Sequence, residues 1–153
     1  MGRYILFFSF LLIMSCNEHI VFEQRSEMPG MVWSYDNPLS YEVVIEEATG
    51  SHDIYLDVEH SREFQYSNLY TGFTSVTPGG DTTFQQISIT LSDQLGRWLG
   101  TCKGNECSRQ YLLKAGHSFS ELGAYKLIVE QYSREKDLQG IKSIQLSIQQ
   151  VKD

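Results

Sequence analysis

Side chains able to do chemistry are few in this sequence, and they are scattered. Thiols stand at Cys16, Cys102 and Cys107, and imidazoles at His19, His52, His60 and His117. No two histidines form an HxH or HExxH pair, the spacings that set two metal ligands on one face of a strand or helix. No G-x-S-x-G elbow is present to expose a nucleophilic serine. Gly79-Gly80 lies between two expected strands, with no helix after it to hold a phosphate. Glu46 and Glu47 are adjacent, so in a strand they point to opposite faces and make no acid/base pair. Asp53 and Asp57 could help hold calcium on a loop, but single carboxylates at this spacing arise by chance. His60 closes an expected strand and reads as a rim residue. The expectation is a chain without catalytic residues, metal ligands or cofactor.

The two later cysteines form an even pair. Cys102-Lys-Gly-Asn-Glu-Cys107 carries Gly104 and Asn105, good turn formers. A small-loop disulfide is favoured there, worth about 2 kcal/mol by loop-closure entropy. The rival is half of a zinc site, which a lone CxxxxC without a nearby histidine supports weakly.

Cys16 has a different setting. Arg3 is the only charge before Glu18, and Tyr4 to Met14 is apolar apart from Ser9. A basic tip, a short apolar core and a small residue at a cut site make a secretory signal peptide. As a helix the core is about 16 Å long, too short for a hydrocarbon layer of about 30 Å. Ile13-Met14-Ser15-Cys16 resembles the lipobox of bacterial lipoproteins, although Ile13 and Met14 stand where Leu and a small residue are commoner. The resemblance implies cleavage before Cys16, a thioether-linked diacylglycerol on its sulfur, and acylation of its nitrogen. Two or three acyl chains give a durable anchor where one holds only marginally. The rival is an ordinary signal peptide that happens to contain a cysteine.

The elements that follow must be strands. Tyr41, Val43 and Ile45 alternate with Glu42, Val44 and Glu46. The same period of two runs through Ile54–Val58, Ile87–Leu91 and Ile144–Ile148. One apolar and one wet face mark antiparallel sheet. Leu69–Val76, Gln110–Lys114 and Tyr125–Tyr132 read as further strands. Turn signals separate them at Asp36-Asn37-Pro38, Thr49-Gly50-Ser51, Pro78-Gly79-Gly80-Asp81, Gly104-Asn105 and Gly123. A short helical turn is expected near Ser133–Leu138. The fold expected is all-β, an antiparallel β-sandwich of Ig-like or jelly-roll-like type with about seven strands. The domain organisation expected is a signal peptide over 1–15, a lipidated cysteine and tether over 16–31, and the sandwich over 32–153. Within the tether, Ile20-Val21-Phe22 could pair as a short edge strand. Gly123-Ala-Tyr125 resembles a tyrosine corner, with a plain turn glycine beside a core tyrosine as the equal alternative.

Charge narrows the partners. The 153-residue chain carries a formal net charge of −7, and −8 once Arg3 leaves with the signal. No Lys/Arg cluster exists, so nucleic acid is not an expected partner. The membrane is met through lipid on Cys16. The aromatic residues Trp33, Trp98, Tyr66, Tyr70, Tyr111 and Tyr132 could form a sugar-stacking platform; core filling is the default.

One series of motifs goes beyond a generic sandwich. Tyr66-Ser67-Asn68-Leu69-Tyr70 is followed by Asp93-Gln-Leu-Gly96-Arg97-Trp98-Leu-Gly100, Gly123-Ala-Tyr125, and Leu138-Gln-Gly140-Ile141. With the lipobox and Trp33, their order resembles the gliding motility lipoprotein GldH family of the Bacteroidota. Thr101–Gly104 and His60–Phe64 depart from that pattern. The resemblance implies a membrane-anchored, periplasm-facing lipoprotein of the gliding machinery, acting as a non-catalytic binding or assembly part beside other gliding-machinery envelope proteins. The alternative is a glycan-binding lipoprotein of a nutrient-uptake system. Trp33, Asn68, Arg97 and Trp98 are the candidate contact residues. In the 93–100 turn, Arg97 is expected to face solvent or pair with Asp93, for under about 1 kcal/mol if exposed. Trp98 is expected to plug a sandwich end rather than meet a partner.

The anchor makes the first prediction. Cys16→Ala should leave the protein unprocessed or soluble and free of palmitate label. Cleaved, membrane-bound Cys16→Ala protein in a fractionation would contradict the anchor.

Overall fold

The alternation seen in the sequence becomes two antiparallel sheets that share one apolar core. The computed structural model describes residues 19–47 and 49–151. The expected signal peptide and the expected lipidation site Cys16 lie outside that range. The strands are β1 (His19–Glu27), β2 (Val32–Ser34), β3 (Leu39–Ile45), β4 (His52–Ser61), β5 (Asn68–Val76), β6 (Thr82–Thr90), β7 (Thr101–Lys103), β8 (Glu106–His117), β9 (Gly123–Gln131), β10 (Asp137–Gln139) and β11 (Ile141–Gln150). The larger sheet runs β1-β11-β4-β8-β7 and the smaller β3-β9-β5-β6, with β2 and β10 as a separate pair.

Alternate residues are buried most regularly on β3, β4 and β9. On β3, Leu39, Tyr41, Val43 and Ile45 are buried while Ser40, Glu42 and Val44 are exposed. Ile54, Leu56 and Val58 of β4 and Ile144, Leu146 and Ile148 of β11 line the larger sheet's inner face. Tyr125, Leu127 and Val129 of β9 and Ile87 and Ile89 of β6 join the same core from the smaller sheet. Period-two burial on both sheets is what a two-layer antiparallel sandwich requires.

The structure differs from the sequence reading in several places. Eleven strands replace the expected seven. Three of the additions, β2, β7 and β10, are three residues long, too short to show any period. The fourth, β1, falls in the segment expected as tether; the Ile20-Val21-Phe22 edge strand considered there does form, but it extends over nine residues. It pairs with β11 from His19 to Glu27, so folded sheet begins well before residue 32. Phe22 of β1 packs edge-on against Tyr41 at 6.3 Å, and Arg25 reaches across β11 to Glu59 at 2.8 Å. Ser133–Leu138 is a bend leading into β10, not a helical turn. The one helical element among the described residues is a single 3-10 turn at Pro29–Met31. His60 is fully buried rather than at the rim.

Gly123-Ala-Tyr125 is a tyrosine corner. The Tyr125 phenol accepts from the Glu121 N–H at 3.0 Å and donates to the Glu121 carbonyl at 3.2 Å. Both bonds tie the β8–β9 connection to the head of β9. Tyr125→Phe removes both while keeping the ring, and it should lower unfolding free energy in urea by about 1–2 kcal/mol; a change under about 0.3 kcal/mol would show that the corner holds nothing.

Candidate contact surface

The sequence-predicted contact residues do not form one site. Trp33 is fully buried opposite Leu138, with its indole N–H on the Asn37 carbonyl at 3.1 Å. It is a core residue and offers no surface, because the β2–β10 pair lies over the core with this ring beneath it. Trp98 is partly buried at one end of the sandwich, 4.6 Å from the His60 ring and 6.5 Å from Phe64. It acts as a plug. Arg97 extends into solvent and pairs with Asp93 at 2.7 Å. The other Asp93 oxygen accepts from the Leu95 and Arg97 N–H groups. These bonds, the Arg97 N–H first, hold the Asp93 carboxyl below the usual range. Gly100 completes that turn at φ +87°, and a Cβ there would lie 2.1 Å from the Ser108 carbonyl oxygen. The final glycine of the motif is thus needed for close passage beside β8.

Cys102 and Cys107 face each other across the β7–β8 hairpin and are joined as a disulfide, Cα to Cα 4.0 Å. Among the described residues no three His, Cys, Asp or Glu side chains cluster as a metal site.

Asn68 has a different neighbourhood. It opens β5 beside a groove of about 550 Å³ on the smaller sheet, lined by Tyr66, Tyr70, Tyr132, Arg134 and Glu135 as well as Asn68. Buried Leu69 and Leu138 form its floor. The rings lie on the surface: Tyr66 is 38% exposed, Tyr70 42%, Tyr132 50% and neighbouring Phe84 55%. Gly72 explains how they gather. A Cβ on it would come within 2.9 Å of Phe84 Cε2 and 3.6 Å of Tyr132 Cδ2, so its bare backbone is the bed on which both rings lie.

The groove wall is the 133–136 bend, held by Gln131. This amide is buried at the end of β9. Its Nε2 donates to the Glu135 and Lys136 carbonyls at 2.7 and 2.9 Å. Its Oε1 accepts from the Ser133 N–H at 3.0 Å and the Ser133 hydroxyl at 2.6 Å. Tyr66 donates to the Glu135 carboxylate, a bond that raises the phenol's pKa. Tyr35 donates to the Ser133 carbonyl. The surface offers ring faces, two amides (Asn68 and Gln86) and one charge of each sign. Such a set can hold a ligand by stacking and hydrogen bonding.

The sugar platform considered from the sequence is assembled only in part, with Tyr66, Tyr70 and Tyr132 at this groove. Trp33 is in the core, Trp98 is at the sandwich end, and Tyr111 belongs to β8 of the other sheet. Phe84 and Tyr132 are inclined at 52°, so they present no flat face. The sequence named Tyr66, Asn68, Tyr70 and Tyr132 but not the groove they share, because its rings come from separate strands; Gly72 inside β5 was the available signal.

A family model described as "GldH lipoprotein" matches residues 20–148. A protein of Christiangramia forsetii named "Gliding motility lipoprotein GldH homolog" is similar as well. It is 23% identical over 143 residues, covering 93% of this chain and 87% of that protein.

Histidines at both closed ends of the sandwich make stability depend on pH. His60 has its Nδ1 2.9 Å from the Ser61 carbonyl, while its Nε2 is buried without a partner. Burial lowers its pKa below the ordinary 6.5. Burial, followed by the charges of Lys114 and His52, lowers that of His117. A depressed folded pKa means the unfolded chain takes up protons first as pH falls. Stability is therefore full above the unfolded pKa and declines as pH drops through it towards the folded value. Urea midpoints should fall between about pH 7 and pH 5.5, and His60→Phe should flatten that slope. An unchanged slope in the variant would contradict the assignment.

Proposed function

The chain belongs to the GldH lipoprotein family, and on that footing we propose that it is a non-catalytic binding or assembly component of the gliding motility machinery. It is held to the membrane by lipid on Cys16 and faces the periplasm. It meets other envelope proteins of that machinery through the tyrosine-lined groove and the adjoining sheet face. The relative's printed name supports the motility part of this reading. The Cys102–Cys107 disulfide supports export, since such bonds persist where thiols are oxidised.

One observation carries the contact surface. Of the five aromatic side chains exposed among the described residues, Tyr66, Tyr70, Phe84 and Tyr132 gather at the groove, and the fifth, Tyr35, bonds the bend that forms its wall. Exposed aromatic clusters with a polar rim are how protein interfaces are anchored. The inclined rings suit an irregular protein surface better than the flat face of a sugar. The sandwich positions this surface, and the lipid sets its distance from the membrane.

The test is spreading on agar. A strain lacking the gene should fail to spread. Complementation with Tyr70→Ala plus Tyr132→Ala should restore membrane-bound, urea-resistant protein without restoring spreading. Leu112→Ala, exposed on β8 of the other sheet, should restore both. Normal spreading with the double variant would overturn the assignment of this surface.

A further inference from the structure

A sheet that is not closed has edges, and an edge strand offers a row of unpaired N–H and C=O groups. Three of the four edges of the two main sheets carry devices that blunt them. β1 has a register break between Ile20 and Phe22 and charges at Glu23, Arg25 and Glu27. β3 is entered through Pro38 and carries Glu42. β7 is three residues long and covalently tied to β8. β6 has none of these. Thr82-Thr-Phe-Gln-Gln-Ile-Ser-Ile-Thr90 is nine residues without a charge, proline or glycine. Its register with β5 is unbroken from Asn68↔Thr90 to Val76↔Thr82.

We propose that β6 is a homotypic docking edge, where a second copy of this chain pairs its own β6 antiparallel about a two-fold axis through Gln86. The strand is complementary to itself in that register. On the outer face Thr82 meets the second copy's Thr90, Phe84 its Ser88 and Gln86 its Gln86. On the inner face Thr83 meets Ile89, and Gln85 meets Ile87. No charge opposes a like charge, and the Thr82–Thr90 pairs at both ends are favourable cross-strand partners. The contact is isologous and closes on itself, so it gives a dimer and not a fibre.

Net charge does not oppose this. β5, the neighbour of β6, is also free of charged residues. The first charges of the sheet, Lys126 and Glu130, lie on β9. With strands about 4.8 Å apart, they stand about 24 Å from their counterparts in the second copy. That is about three Debye lengths at physiological salt. The result is one continuous eight-stranded sheet with the two tyrosine grooves on the same face.

The experiment uses the full chain in native membranes. Gln86→Cys should give a disulfide-linked dimer on mild oxidation, seen at twice the monomer mass on a non-reducing gel. Lys126→Cys and the unsubstituted chain should not. Adding Thr82→Lys with Thr90→Lys to Gln86→Cys sets lysine opposite lysine at both ends and should abolish the dimer. Replacing that pair by Thr82→Lys with Thr90→Glu sets lysine opposite glutamate and should bring it back. Absence of a Gln86→Cys dimer, a mixed disulfide with a different protein in its place, or a dimer indifferent to the lysine pair would each overturn the proposal.

Discussion

Each sheet must hide one of its faces, and there is a single core in which to do so. That constraint organises the molecule. Leu56, Val58, Ile144, Leu146 and Ile148 from one sheet meet Tyr41, Val43, Leu127 and Val129 from the other. Burial of side chains this size contributes about 1.5–3 kcal/mol each before chain entropy is set against it. With inner positions committed to packing, residues at the intervening positions are free of it. On most of the outer surface they are polar. On the smaller sheet they include Tyr70, Phe84 and Tyr132.

The exposed rings become a site because small local features arrange them. Gly72 leaves room above the backbone for two of them. Gln131 then turns the chain at the end of β9, satisfying four polar groups of the bend with one buried amide. An unsatisfied buried polar group costs about 1–3 kcal/mol, so these bonds fix the wall of the groove in one conformation. Trp98, His60 and Phe64 close one end of the sandwich. At the other, Phe119 packs against His52, His117 and Tyr125. Aromatic residues thus have separate duties here: closing the ends, filling the middle and meeting the outside.

The sequence was most readable where the period was long enough to count. β3, β4, β6 and β11 follow directly from alternating residues, and the Asp93–Arg97 turn follows from its aspartate and glycines. The three-residue strands carry no period. β1 shows little alternation because most of its residues stay exposed on an edge, and it is recruited by the ladder of β11. Residue type could not separate Trp33, wholly buried, from Tyr132, half exposed. The β2–β10 pairing that sets Trp33 opposite Leu138 makes that distinction, and no local pattern encodes it. Asn68 was singled out through its motif and does line the groove. Gln131 was not singled out, because a glutamine at a strand end looks like any polar residue until its partners are in place.

The smaller sheet's outer face is proposed as the place where this lipoprotein meets its neighbours. A photo-crosslinking phenylalanine analogue at position 132, in living gliding cells, tests it most directly. The same analogue at position 110, on the outer face of the larger sheet, is the comparison. Position 132 should yield a discrete adduct with another envelope protein, and position 110 should yield none. No adduct at 132 in cells that still glide, or equal adducts at both positions, would contradict it.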